Sequence, residues 1–168
     1  ARVVSLVSFP VQMTPWPLPT PLGQQEAAVD AITGPTPLAL WKQGEAVPSN
    51  WDLFLGNIGG SMAEISALAL LIGFGFLIYK RVVTPIIPAG FVGTVLIFAL
   101  ITGEDPMFHI LAGGVLLGAL FMATDYVTSP TLPVGQLIFG IGCGLITMVI
   151  RLYGNFPEGV SFAILIMN

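Results

Sequence analysis

The chain has 168 residues, of which 55% are hydrophobic and only 8% charged, with a mean hydropathy of +0.91. Soluble domains carry about a quarter charged residues, so this balance is that of an integral membrane protein. Nine acids against five bases leave a net charge of −4 without a basic tract, which excludes nucleic-acid binding, and the single cysteine, Cys143, excludes an intrachain disulfide or a cysteine-ligated cluster built from this chain alone.

Residues 1–10 are apolar apart from Arg2, Ser5 and Ser8 and read as the end of a transmembrane helix. The chain stops inside the apolar run Phe162-Ala-Ile-Leu-Ile-Met-Asn168, so a piece of a longer polypeptide is expected. Prolines at 10, 15, 17, 19 and 21 stop any helix, and 11–58 reads as one long loop. Loops of this length are usually functional or disordered. Trp16 and Trp51 bracket it as interfacial tryptophans do, and Trp41 is read either as a third anchor or as a ring packed over the turn. At the centre lies Asp30-Ala-Ile-Thr-Gly-Pro-Thr36, a polar turn in which Asp30 and Thr33 offer acceptors and Gly34 backbone freedom. The Thr36 hydroxyl in such an exposed turn is one that a phosphate can esterify.

Residues 59–168 read as a transmembrane helix bundle whose last helix is cut short. The charge-free stretch 65–79 falls short of the roughly twenty residues a span needs at about 1.5 Å per residue, so Glu64 is placed at a helix break or inside protein. The next apolar segment, 82–102, carries Pro85 and Pro88, which put its helix start near Ile86. After the turn at Glu104-Asp105-Pro106 come an apolar run over 107–123, a second turn region over 124–133, and a last complete run from Val134 to Ile150 that ends at Arg151. Lys80 and Arg81 form the one adjacent basic pair at a helix end, which the positive-inside rule places in the cytoplasm. Alternation then puts the Thr36 loop, the Glu104-Asp105 turn and the 153–159 turn together on the outer side. Gly114-x-x-x-Gly118 and Gly140-x-x-x-Gly144 read as close-packing faces, and the glycine-broken, alternately short segments are compatible with a transporter-like inverted repeat. Gly140-Ile-Gly-Cys-Gly144 is no dinucleotide loop, because it lies within an apolar run without a strand–helix unit.

Ionisable residues in or beside hydrocarbon are expensive and point to function. Glu64 and Asp125 each fall at an expected helix break, where a carboxylate caps helix N–H groups or lines an ion path. His109 follows an acidic turn, as an interfacial histidine bonded to a carbonyl or a proton carrier; Arg151 either snorkels outward or meets a phosphate; Glu158 joins the same set. No nucleophile–His–acid set and no multi-histidine metal site can be built from one histidine.

The order Asp30-x-x-Thr33-Gly34-x-Thr36 resembles the motif at which a flavin transferase joins FMN, through its phosphate, to the last threonine of membrane redox subunits. Phe9-Pro-Val-Gln-Met-Thr14, Gly59-Gly-Ser-Met-Ala-Glu64, Phe108-His-Ile-Leu-Ala-Gly-Gly114, Met122-Ala-Thr-Asp-Tyr-Val-Thr-Ser-Pro130 and Pro157-Glu-Gly-Val-Ser-Phe-Ala163 point the same way. Together they resemble the NqrB/RnfD family, the RnfD subunits of the Rnf ion-translocating oxidoreductase and the NqrB subunits of a sodium-pumping quinone reductase. One departure is Pro35, where the family usually has alanine; proline fixes its own φ and restricts Gly34 before it.

The resemblance implies an all-α polytopic helix bundle in a bacterial cell membrane, the inner one in a Gram-negative cell, with the Thr36 loop extracytoplasmic. It implies FMN covalently attached at Thr36, with Trp41 packed over the turn or the flavin if it is not an anchor and Arg151 at a flavin phosphate if it does not snorkel, and a second, noncovalent flavin (riboflavin) among the helices. Electrons would pass between ferredoxin and NAD through several subunits, coupled to Na⁺ or H⁺ translocation. Implied partners are the other membrane and peripheral subunits of the Rnf complex, including a neighbouring flavoprotein, a flavin transferase during maturation, and the lipid bilayer. Flavin chemistry asks little of a protein beyond binding, orientation and tuning, which suits a chain so poor in catalytic groups. Two other readings remain open: a quinone-reducing sodium pump that keeps Thr36 in its role, and a flavin-free channel or solute transporter.

Overall fold

The computed structural model describes residue 8, the backbone of 16–17 and 33–34, and residues 35–58, 66–125, 127–154 and 159–168. Asp30, Glu64 and Glu158 lie outside these residues, as does the segment 1–10 apart from Ser8. Strands β1 (Trp16–Pro17) and β2 (Thr33–Gly34) form a two-residue antiparallel pair, Trp16 opposite Gly34 and Pro17 opposite Thr33. Every other regular element among the described residues is helical.

The second half of the expected 11–58 loop folds. Helix α1 (Pro37–Gln43) is capped by Thr36 at its start and by Gly44, with φ of 72°, at its end; proline at the first position costs nothing there because that N–H has no intrahelical partner. Helix α2 (Asn50–Leu55) starts at Ser49, whose hydroxyl accepts from the Asp52 N–H. The run of prolines upstream hides these two pieces, each too short to show a helical period.

Helix α3 (Ala67–Tyr79) ends at the Lys80-Arg81 pair, and α4 (Ile86–Thr102) begins at the residue that Pro85 and Pro88 predict. The apolar run over 107–123 is not one segment. It divides into α5 (Pro106–Leu111), a break over 112–114 at which Gly113 takes φ of +56°, and α6 (Val115–Leu117), which widens into a π-helical turn over Gly118–Met122. Helix α7 (Pro133–Tyr153) and the shorter α8 (Val160–Met167) complete the order. Of the described helices, α7 alone is long and apolar enough to cross a membrane; α3 and α4 are apolar but shorter.

Helices α4 and α7 run parallel and form the centre of the molecule, and glycines set their distance. A Cβ on Gly140 would meet the Ile87 carbonyl oxygen at 2.6 Å and the Phe91 amide nitrogen at 3.2 Å, and one on Gly144 would meet the Phe91 oxygen at 2.7 Å. Both are backbone contacts, which cannot rotate away. Gly140→Val is therefore expected to cost about 3 kcal/mol, read as a lowered midpoint of thermal unfolding in detergent. The second glycine pair is used differently: Gly118 faces Val160 of α8, whereas Gly114 belongs to the helix break.

Around this contact Ile87, Phe91, Val95 and Ala99 pack with Val115, Ala119, Phe139, Cys143, Met148 and Ile164. The outward faces are as apolar as the core: Ile72, Phe76, Ile97, Ile101, Val134, Ile138 and Ile166 are all exposed. A belt of that kind is far beyond the scattered single residues of a water-facing surface. The bundle has two unlike ends. At one, Lys80 and Arg81 close α3, and Thr84 bonds Gln136 at 3.2 Å across the starts of α4 and α7. At the other lie α1, α2, the 103–105 turn and Gly154.

Candidate functional site at the loop end of the bundle

Thr36 is the N-cap of α1, with φ of −69° and ψ of 156°, and its Oγ1 accepts from the Ala39 N–H at 3.3 Å. The side chain is half-buried, not part of a fully exposed turn. Gly34, extended in β2, already holds the conformation to which a following proline confines it, so Pro35 imposes no strain on the backbone ahead of Thr36. Thr33 is described by its backbone alone, in the same strand.

Helix α1 is fastened to the bundle at several points. Leu38 is buried against Leu53, Phe108 and Ala112. The Trp41 Nε1–H donates to Glu104 Oε2 at 3.3 Å, and the Lys42 ammonium donates to the Gly154 carbonyl at 2.5 Å. Partial burial and the nearby Arg151 charge hold the Lys42 pKa below its ordinary value. The Asn50 amide, just inside α2, donates to Asp105 Oδ2 at 3.0 Å. These bonds bring α1 with Thr36 at its head, the Glu104-Asp105 turn and Gly154 at the end of α7 to one end of the bundle, as alternation of segments predicts for these described residues.

Asp105 also caps α5, its Oδ1 accepting from the Met107 N–H at 3.0 Å. The Asn50 hydrogen bond, followed by those from the α5 backbone, holds its carboxyl below the usual carboxylate range against the opposing effect of burial. Such a group stabilises the fold fully above the ordinary aspartate pKa near 4, and the contribution disappears as pH falls through the depressed folded-state value. Asp105→Ala should cost about 1 kcal/mol at neutral pH, with the difference from wild type vanishing in acid when unfolding midpoints are compared.

Beneath α1 lies Arg151, fully buried near the end of α7. It does not snorkel. Its Nη1 donates to the His109 carbonyl at 2.6 Å and its Nη2 to the carbonyls of Ala112 at 2.9 Å and Gly113 at 3.4 Å. The His109 and Ala112 carbonyls lie where α5 ends, so the arginine serves as a cap supplied from another helix, while the Gly113 carbonyl also accepts from the Val115 N–H. Gly113 has no alternative: a Cβ there would run into Leu38 Cδ1 and come within 3.3 Å of Arg151 Nη2.

His109 is also wholly buried, not interfacial. Its ring meets Trp41 edge-on at 5.0 Å and 85° and Phe108 at 5.5 Å, and neither ring nitrogen has a hydrogen-bond partner among the described residues. Aromatic packing has taken the place that the expected carbonyl bond would fill. Asp125 is exposed, with Oδ1 3.5 Å from the Val127 nitrogen and its carbonyl accepting from the Ser129 N–H, an arrangement that organises the 123–132 turn. It lies apart from the residues around Thr36. Sequence reasoning singled out Thr36 and missed Lys42, Asn50, Glu104 and Asp105 as its supports. The signals were present as Thr36-Pro37 and Ser49-x-x-Asp52, both helix-start patterns.

No group of three or more metal-ligating side chains occurs among the described residues. A model of the NQR2, RnfD, RnfE family matches residues 1–168. The chain is 52% identical over 172 residues to a subunit of the Na⁺-translocating ferredoxin:NAD⁺ oxidoreductase complex of Acetobacterium woodii, covering all of this chain and 52% of that protein. It is 41% identical over 201 residues to a subunit of an ion-translocating oxidoreductase complex of Stutzerimonas stutzeri, covering 100% of this chain and 57% of that protein. Against the corresponding subunit of a proton-translocating ferredoxin:NAD⁺ oxidoreductase complex from Clostridium ljungdahlii the identity is 40% over 188 residues, with 99% and 54% covered. The chain thus spans about half the length of the curated relatives it matches.

Proposed function

Because the chain belongs to the NQR2, RnfD, RnfE family, we propose that it is part of a membrane subunit of an ion-translocating ferredoxin:NAD oxidoreductase complex. In this reading it relays electrons through FMN held as a phosphoester on Thr36, with Asp30, Thr33 and Gly34 completing the motif read by a flavin transferase. The observation that supports it most is the placement of Thr36. Its hydroxyl stands at the head of a helix fastened to the bundle through Leu38, Trp41 and Lys42, so a group attached there is held against the membrane domain. Bound flavin supplies one- and two-electron chemistry; the chain's residues tether and position it.

The proposed organisation is a transmembrane helix ending in 1–10, a flavin-bearing loop over 11–58, and a helix bundle over 59–168 built on an inverted repeat. The apolar belt faces lipid. The basic Lys80-Arg81 end lies in the cytoplasm and the Thr36 end outside, where a neighbouring flavoprotein subunit exchanges electrons with it. A second, noncovalent riboflavin among the helices and coupling to Na⁺ or H⁺ belong to the same reading; the relatives' names divide between the two ions. Glu64 and Asp125 are the carboxylates offered to the ion path or to helix ends; the side chain of Asp125 bonds within its own turn.

The test is flavin fluorescence of the denatured, gel-separated polypeptide, comparing wild type with Thr36→Val, both coexpressed with a flavin transferase. Fluorescence in the wild type that the variant loses is the expected result. A dark wild type beside a labelled control flavoprotein would overturn the proposal in favour of a flavin-free transporter.

A further inference from the structure

Lys42 and Arg151 are engaged by carbonyls at the Thr36 end of the bundle. Lys80 and Arg81 stand together at the other end, both exposed, and neither side chain has an ion-pair or hydrogen-bond partner among the described residues. The Arg81 backbone is unusual for this chain. Helices α1 and α4 close with one pattern, in which the N–H after a left-handed residue reaches the carbonyl five residues back, Glu45 to Leu40 and Glu104 to Ala99. The left-handed residue is a glycine in both, Gly44 and Gly103. Helix α3 closes the same way, with the Val82 N–H on the Leu77 carbonyl at 3.0 Å and the Arg81 N–H on that of Ile78 at 2.8 Å. Here the left-handed residue is Arg81, at φ of 55°, the one non-glycine with positive φ among the described residues. A Cβ makes that conformation costly, whereas glycine adopts it without a clash. What the arginine adds is its charge.

We propose that Lys80 and Arg81 form a docking site for the headgroup phosphate of an anionic phospholipid at the rim of the apolar belt; the inference rests on the membrane reading of that belt and on no flavin. Ile72, Phe76 and Lys80 follow one another at four-residue spacing on one face of α3, so an acyl chain below the headgroup meets exposed apolar side chains. The Lys80 ammonium lies 5.8 Å from the Phe76 ring centroid and 6.0 Å from that of Tyr79, within cation–π range. Those rings hold it where the apolar surface gives way to water, the level at which interfacial tyrosines sit, and Tyr79 is 81% exposed there. The adjoining Arg81 guanidinium is a planar fork of donors that matches phosphate oxygens two at a time. Charge complementarity selects an anionic lipid, because these are two adjacent cations in a chain whose net charge is −4. Asp125 lies on the turn that leads into α7, whose start is tied to that of α4 by the Thr84–Gln136 bond; its side chain bonds within its own turn and forms no ion pair with either base.

Arg81→Gly separates the backbone from the charge. In the full-length subunit purified in a neutral detergent, it should raise the midpoint of thermal unfolding by a few degrees, because glycine takes the left-handed place without the Cβ clash. Added phosphatidylglycerol should raise the wild-type midpoint and raise that of Arg81→Gly no more than half as far, while phosphatidylcholine acts on the two alike. Lys80→Gln, which leaves the Arg81 backbone as it is, should also reduce the phosphatidylglycerol gain. A lower midpoint for Arg81→Gly in detergent alone would overturn the inference, since the arginine would then support the fold from within. A phosphatidylglycerol gain equal in wild type and Arg81→Gly would overturn it as well. If Arg81→Gly releases a neighbouring subunit from the intact complex with the lipid gain unchanged, the pair meets an acidic protein surface and the lipid site is wrong. None of these readouts involves a flavin, so they stand apart from the Thr36 test.

Discussion

On the proposed reading, Thr36→Val is expected to reduce ferredoxin-dependent NAD reduction by membranes carrying the complex to background while leaving the fold intact. Valine nearly matches threonine in shape, so the change removes the oxygen proposed to carry the phosphoester with little change in volume. The structural cost is confined to the cap. Losing the Oγ1 acceptor for the Ala39 N–H weakens α1 by about 1 kcal/mol, a small effect beside the burial of Leu38 and the bonds of Trp41 and Lys42 that hold the helix down. Thr36→Ser separates the two contributions. Serine restores both a cap and an ester oxygen, so labelling and electron transfer should recover together if the transferase accepts it; Thr36→Asn restores only the cap and should leave the membranes inactive.

Arg151→Leu is expected to be the most destabilising single change on the loop side of the bundle. It strips the buried hydrogen bonds from the carbonyls of His109 and Ala112, at a site closed to water, while the Gly113 carbonyl keeps the Val115 N–H. An unsatisfied buried carbonyl costs about 1–3 kcal/mol, so the loss is on the order of 3–5 kcal/mol. Arg151→Lys recovers only part of it. A single ammonium on a shorter reach does not reproduce the planar fork that serves the His109 carbonyl with one nitrogen and the Ala112 and Gly113 carbonyls with the other. Limited proteolysis in detergent should show the damage first at the 112–114 break and in α1, because Leu38 rests on Gly113. If Arg151→Leu were as stable as wild type, the cap assigned to the guanidinium would be wrong.

Local rules made several elements legible in the sequence. Pro85 and Pro88 marked the start of α4, the charge-free run before Arg151 gave α7, and Gly140 and Gly144 announced a close helix contact whose partner, the Ile87–Thr94 face of α4, could not be named from spacing. The count of segments was enough to bring Thr36, the Glu104-Asp105 turn and the end of α7 to one end. What stayed hidden depends on partners distant in sequence. The apolar run over 107–123 has the composition of one span, and its break is stabilised by Arg151, some forty residues further on. His109 follows an acidic turn and so reads as interfacial, yet it is enclosed by Trp41 from a loop that composition alone leaves shapeless. Helices α1 and α2 form because Leu38 and Leu53 find a cluster on α5, and a helix of six or seven residues has little stability without such packing.

The same dependence explains the candidate site. The motif around Thr36 is readable residue by residue, whereas the residues that fasten its helix, Glu104 under Trp41 and Phe108 beside Leu38, are brought there by the fold. A short motif thus marks the residue proposed to carry a group, and the long-range packing decides what holds that residue in place.

The most direct measurement is the mass of the peptide containing Thr36, recovered from the subunit purified out of membranes that also express a flavin transferase. A phosphoester on Thr36 predicts a gain equal to FMN less one water, with fragmentation placing it on Thr36. An unmodified peptide, from membranes in which another flavoprotein is covalently labelled, would contradict it.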